Sequence, residues 1–218
     1  IDRWVIRTAF RLLADRRAAG DPNAVSGTYA INLSGASIGD DQFLDYVRES
    51  FARFRIPHRA ICFEITETTA VTSLSKAAEF IGAMREPGCR FALDDFGVGV
   101  SSFTYLKQLP VDYIKIDGSF VRNMLHDPVD AAMVEAIHRI GRVMGKQTIA
   151  ESVETTATLE ALRSVGVDFA QGNAIAPPTL FAPSGGRKRH DLPERLTEPA
   201  PQTAAVLVSR TSHENARR

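Results

Sequence analysis

The run Arg90-Phe91-Ala92-Leu93-Asp94-Asp95-Phe96, followed by Gly97, decides the fold of this 218-residue chain. It is an apolar run too short for a helix, and it stops on two adjacent carboxylates where an ordinary core strand would stay apolar. Working outward, five further runs share that build. Tyr29–Leu33 places Asn32 after Ala30-Ile31, and Ala60–Ile65 places Glu64 after Ile61-Cys62-Phe63. Val111–Ile116 places Lys115 after Tyr113-Ile114, with Asp117 two residues on. Gln147–Ala150 leads into Glu151, and Asp168–Gln171 ends on Gln171. Successive polar ends lie 20 to 36 residues apart, a reasonable length for one strand–helix unit.

The segments between the runs have helical spacing. In 128–145, Val129, Met133, Ile137, Ile140 and Met144 fall on one face, and Asp127, Pro128 and Gly145 suit the cap, first position and end of a helix. Leu159, Leu162 and Val165 share a face before Gly166, and the first dozen residues also read as helix. Short buried strands alternating with helices imply parallel βα units, in an open doubly wound sheet or a closed barrel. The six polar strand ends favour the barrel. An open sheet spreads such ends along a line, whereas a (β/α)8 barrel gathers them at its C-terminal face.

Composition bounds the remaining choices. Twenty-six basic residues balance 26 acidic ones, so no net field favours wrapping a nucleic acid polymer or an acidic membrane. No apolar run approaches the roughly 20 residues of a membrane helix. Two cysteines, Cys62 and Cys89, make no disulfide framework; both sit among apolar residues and fit a reducing, cytoplasmic setting. Residues 179–218 carry seven Lys and Arg, four acids, four prolines and Gly185-Gly186, with little apolar periodicity. They are expected to form a disordered tail, leaving a mildly acidic folded part over 1–178.

The polar ends specify a chemistry. Asn32 and several carboxylates, with no cluster of Cys or His, select hard cations such as Mg2+ or Mn2+. The Asp94-Asp95 pair suits two ions, which could hold an attacking water and a phosphate oxygen in line. Lys115 could accept the water's proton or neutralise a phosphate. Each carboxylate alone reads more readily as a helix cap. Independent caps would not include Asn, Lys and Gln in register, so the set is read as one site. Strand-end acids plus a lysine would also suit a Mg2+-dependent enzyme that removes a proton beside a carboxylate, but that chemistry leaves Asn32 and the Asp94-Asp95 pair unexplained.

Several stretches in order resemble the EAL domain family. They are Asn32-Leu33-Ser34, Phe63-Glu64-Ile65-Thr66-Glu67, Leu93-Asp94-Asp95-Phe96-Gly97, Ser101-Ser102, Ile114-Lys115-Ile116-Asp117, Ser119-Phe120-Val121, Ala150-Glu151-Ser152-Val153-Glu154, Gln171-Gly172 and Pro178. The resemblance covers about 1–178 and implies a modified TIM-type barrel that hydrolyses cyclic di-GMP to linear pGpG with two Mg2+ or Mn2+ ions. It implies that Asn32, Glu64 and Asp94 ligate one ion, and that Asp94 and Asp95 serve the second with Glu151. Lys115 would orient or deprotonate the attacking water, and Gln171 would support the metal and water shell. Glu67 would anchor the loop after Asp95, and Glu154 would stabilise the loops around it. A homodimer and an upstream sensory or GGDEF domain are compatible with the family pattern.

The departures from the family pattern carry information as well. The glutamate of the Glu-Ala-Leu signature and the opening strands are expected upstream of Ile1, so a barrel lacking its first strands is expected. At roughly 30 residues per unit, 178 residues make about six units where eight close a barrel. Val98 and Val100 replace a small or hydroxyl residue and an aromatic one in the loop after Asp95, Ser152 replaces a glycine, Gly118 an arginine and Asn173 an aromatic. Little or no hydrolysis by the chain alone is therefore expected. The altered loop also leaves open a non-catalytic cyclic di-GMP receptor or interaction scaffold on the same fold.

Overall fold

The computed structural model describes residues 1–21, 24, 27–99 and 104–179, and the backbone of 209–210. Six parallel strands form the sheet: β1 (Tyr29–Leu33), β2 (Ile61–Thr66), β3 (Arg90–Phe96), β4 (Tyr113–Ile116), β5 (Gln147–Ala150) and β6 (Phe169–Ala170). They stand side by side in sequence order. A doubly wound sheet reverses its order at a switch point. No reversal occurs here, so the winding is that of a barrel. Three of the expected runs match their strands residue for residue, and the other three begin or end one or two residues away.

The helices are α1 (Asp2–Ala18), α2 (Gly35–Ile38), α3 (Phe43–Phe54), α4 (Glu67–Thr72), α5 (Leu74–Arg85), α6 (Gly118–Asn123), α7 (Pro128–Val143) and α8 (Thr156–Val165). Among the described residues, none is long and apolar enough to cross a membrane. Of the expected tail, Thr179 is described and Ser209–Arg210 (β7) pairs antiparallel with β6. The rest of the tail, and Val100, Ser101 and Ser102, lie outside the described residues.

Strand pleating gives the sheet two unequal apolar faces. Phe63, Ile65, Phe91, Leu93, Ile114 and Ile116 join the large core shared with the helices. Cys62, Ala92, Tyr113 and Ile149, with Phe169 against them, form a small separate core on the other face. Phe63 anchors the large core, with ring centroids 5.6 to 6.4 Å from Phe91, Phe80 and Phe51. The free thiols are buried on both sides of this division, and burial pushes that of Cys89 up to about 12, far from a reactive thiolate.

The expected face of α7 is corrected by the structure. Val129 is 66% exposed, and the buried positions are Val134, Ile137, His138 and Gly141, an i, i+3, i+4, i+7 stripe. Met133, Ile140 and Met144 lie at its half-buried margin. The stripe is displaced because two of its members are not apolar letters. His138 is accommodated by a 2.7 Å hydrogen bond between Nδ1 and Thr148 Oγ1. Gly141 allows close approach to β5, where a Cβ would stand 3.0 Å from Thr148 Cγ2. The expected ends hold: Asp127 accepts from Val129 N–H at 2.7 Å, and Gly145 has φ +69° just past the helix.

Truncating Phe63 to Ala should cost about 3–5 kcal/mol, because a rigid aromatic cluster cannot collapse around the void. Urea unfolding of the two proteins at one pH measures the loss; less than 1 kcal/mol would contradict this packing.

Candidate functional site

Each strand from β2 to β6 carries an apolar residue on the small inner core and, two positions later, a polar one at its C-terminal end. The pairs are Cys62 with Glu64, Ala92 with Asp94, Tyr113 with Lys115, Ile149 with Glu151, and Phe169 with Gln171. Alternation therefore puts the polar set on the same face as the inner core, one layer above it. Asn32 pairs in register with Glu64, but it is exposed on β1, which stands at an edge of the described sheet.

Lys115 gathers three of these acids. Its Nζ lies 2.9 Å from Glu64 Oε2, 2.8 Å from Asp94 Oδ1 and 2.7 Å from Glu151 Oε1. The lysine is 2% exposed and Glu64 3%. Burial alone would lower the lysine pKa, but the carboxylates of Glu64, Glu151 and Asp94 outweigh it and hold the ammonium above its ordinary value. Glu64 is raised chiefly by burial, against the pull of Lys115.

Asp95 joins the site through a backbone irregularity. Adjacent strand residues normally face opposite sides. Here the β3–β4 register slips between Leu93 and Phe96, and Asp95 adopts the left-handed region at φ +54°. This bulge turns Asp95 toward its neighbour, so that Asp94, Asp95 and Glu151 each offer an oxygen within 4.8 Å of the others. Burial, then the charges of Asp94 and Asp117, raises the Asp95 pKa. Asp117 itself is the cap of α6, accepting from Ser119 N–H at 2.7 Å.

Glu67 opens α4 and is 2% exposed. It accepts from Gly97 N–H at 3.1 Å and from the Tyr105 hydroxyl, and a Cβ at Gly99 would stand 3.1 Å from its Oε2. Gly97 supplies that N–H, and the missing side chain of Gly99 lets the chain after Asp95 fold closely over this carboxylate. Glu154 is exposed and lines a cavity of about 230 Å3 with Glu151, Ser152, Gln171, Gly172 and Asn173. The Gln171 Oε1 is buried without a hydrogen-bond partner. Ser152 has φ +53°, the conformation that makes a glycine the usual residue at such a turn.

These donors fit a hard divalent cation. All are oxygens, three carboxylates converge, and a buried amide oxygen beside them lacks a donor. Two contacts were invisible in the sequence: the Tyr105 hydroxyl on Glu67, 38 residues away, and a 3.1 Å bond from Arg122 Nη1 to Ser152 Oγ. No periodicity or spacing marks either one.

The Glu151 carboxyl is pushed up to about 6, mainly by burial, despite the lysine beside it. A carboxyl raised on folding stabilises the fold below its unfolded value, and that contribution is lost as pH rises through its folded value. Between pH 4.5 and 6.5 the metal-free protein should lose about 2 kcal/mol that Glu151→Gln does not lose. Denaturant unfolding at intervals across that window measures the difference; parallel pH profiles for the two proteins would refute it.

Comparison with known proteins meets this geometry. A family model described as the EAL domain matches residues 1–178. The chain is 43% identical over 182 residues to cyclic di-GMP phosphodiesterase PdeB of Shewanella oneidensis, covering 84% of this chain and 21% of that protein. It is 35% identical over 178 residues to cyclic di-GMP phosphodiesterase PdeF of Escherichia coli, covering 82% and 23%. It thus spans less than a quarter of either relative. Among solved structures, the MucR phosphodiesterase of Pseudomonas aeruginosa in complex with c-di-GMP superposes with a TM-score of 0.75 at 32% identity, over 84% of this chain and 71% of that one. The sequential parallel sheet, its strand-end acids and these likenesses agree: the chain belongs to the EAL domain family.

Proposed function

We propose that this chain is the cyclic di-GMP-hydrolysing part of a metal-dependent phosphodiesterase that yields pGpG. The observation carrying this reading is the Lys115 ammonium held among Glu64, Asp94 and Glu151, with Asp95 turned onto the same cluster. Asn32, Glu64, Asp94, Asp95 and Glu151 would hold two Mg2+ or Mn2+ ions. Such ions supply a bound, acidified water and charge neutralisation at the phosphate oxygens. The fit rests on the all-oxygen donor set and the unpartnered Gln171 Oε1. Cyclic di-GMP as substrate is supported by the names of PdeB and PdeF and by the c-di-GMP complex of MucR.

Lys115 has a role of its own. Three carboxylates keep it protonated, which supports orienting the attacking water and stabilising phosphate charge over removing a proton. Gln171 would offer its free carbonyl oxygen to the same water, and Glu67 would hold the chain after Asp95 in place through Gly97. Glu154, on the cavity wall, would border the bound dinucleotide. A cytoplasmic setting accords with the two buried free thiols. A dimer, and regulatory or cyclase domains elsewhere in the same protein, belong to this reading as proposals.

A receptor that binds cyclic di-GMP without cleaving it is the second reading. It is favoured by Val98, 61% exposed in the chain after Asp95, where the family pattern has a small or hydroxyl residue. Both are decided by incubating the whole reading frame that carries this chain with cyclic di-GMP and excess Mg2+ or Mn2+. The expected result is pGpG by chromatography, reduced at least 100-fold in Glu64→Gln and Lys115→Ala variants that remain folded by circular dichroism. Absence of product alongside calorimetric binding would overturn hydrolysis in favour of the receptor.

A further inference from the structure

Two positions that depart from the family pattern, Gly118 and Ser152, face each other across the rim of the site. A Cβ built on Gly118 would stand 2.3 Å from Ser152 Oγ, 2.7 Å from Ser152 Cβ and 2.9 Å from Arg122 Nη1. The hydroxyl can rotate and the guanidinium can swing, but the Ser152 Cβ is fixed to its backbone. Only one of the two positions can therefore carry a side chain. Arg122, one turn along α6 from Gly118, donates to Ser152 Oγ at 3.1 Å. The serine so held follows Glu151 directly and has a left-handed backbone, φ +53°, that a non-glycine residue adopts only when its surroundings impose it.

We propose that Arg122 and Ser152 are positioning residues for Glu151: the arginine clamps the serine in the space vacated at Gly118, and the clamped turn aims the Glu151 carboxylate at Lys115 and the Asp94-Asp95 pair. The contact spans separate units of the barrel, tying the last turn of α6 to the chain after β5. It also explains why a serine persists in a strained backbone conformation. Its side chain fills the room over Gly118 and is bonded at its tip, both of which oppose relaxation of the turn. The metal-related part rests on the reading of Glu151 as a metal-site carboxylate; the packing part does not.

Melting temperatures of Gly118→Ala, Ser152→Gly and the double variant test the packing. Gly118→Ala alone should melt at least 5 °C below the parent, and the double variant should recover most of that loss. Additive effects, or a Gly118→Ala protein as stable as the parent, would overturn the exclusion. Mn2+ titration followed by electron paramagnetic resonance of the free ion tests the positioning. Arg122→Met should raise the half-saturating concentration at least threefold at an unchanged melting temperature, and Arg122→Lys should restore about half of that change. An unchanged midpoint in Arg122→Met overturns the positioning role. A parent chain that binds no Mn2+ overturns the metal reading and the positioning role together, while the melting temperatures still decide the packing.

Discussion

Everything at the strand ends depends on one ammonium group meeting three carboxylates out of water. Lys115 sits 2.7 to 2.9 Å from Glu64, Asp94 and Glu151, and it is almost wholly buried. Acids packed this closely repel one another and are costly to desolvate, and a single cation offsets only part of that cost. The remaining excess of negative charge suits the cluster to a second cation from solution. It also explains why burial raises Glu64 and Glu151 while the lysine is held charged. Stability and charge are thus opposed at this point, and the apolar packing on both sides of the sheet must hold the acids together.

The two backbone irregularities lie where that opposition is greatest. Asp95 and Ser152 are two of the three non-glycine residues with positive φ among the described residues, and both adjoin an acid that contacts Lys115. A regular β3 would direct Asp95 away from Asp94. A relaxed turn after β5 would free Glu151 to move out toward water. Strain of this sort persists only where surrounding contacts over-determine the backbone. Here those contacts are a parallel neighbour strand at Asp95 and the Arg122 bond at Ser152.

Much of this was legible in the chain. A strand carrying Asp94-Asp95 near its end, and a polar residue at the end of each other run, sufficed to place the sheet and its polar edge. What remained hidden were features that depend on backbone conformation or on contacts distant in sequence. The bulge at Asp95 leaves the same letters in the same order as a regular strand would. The inward face of α7 was displaced because His138 and Gly141 belong to it, one bonded through Nδ1 to Thr148 and the other needed for close approach. Tyr105 reaches Glu67 through a fold that no local pattern announces.

The two faces of the sheet also separate what selection can change. Along β2, Phe63 and Ile65 support the helices, while Cys62 and Glu64 face the interior. Neighbouring codons therefore answer to different demands, one to persistence of the fold and the next to the chemistry above it. The inner positions can change their polar groups while the helical shell stays as it is. A scaffold so divided is open to functional divergence by few substitutions, because the residue that must vary and the residue that must not are separated by a single peptide bond.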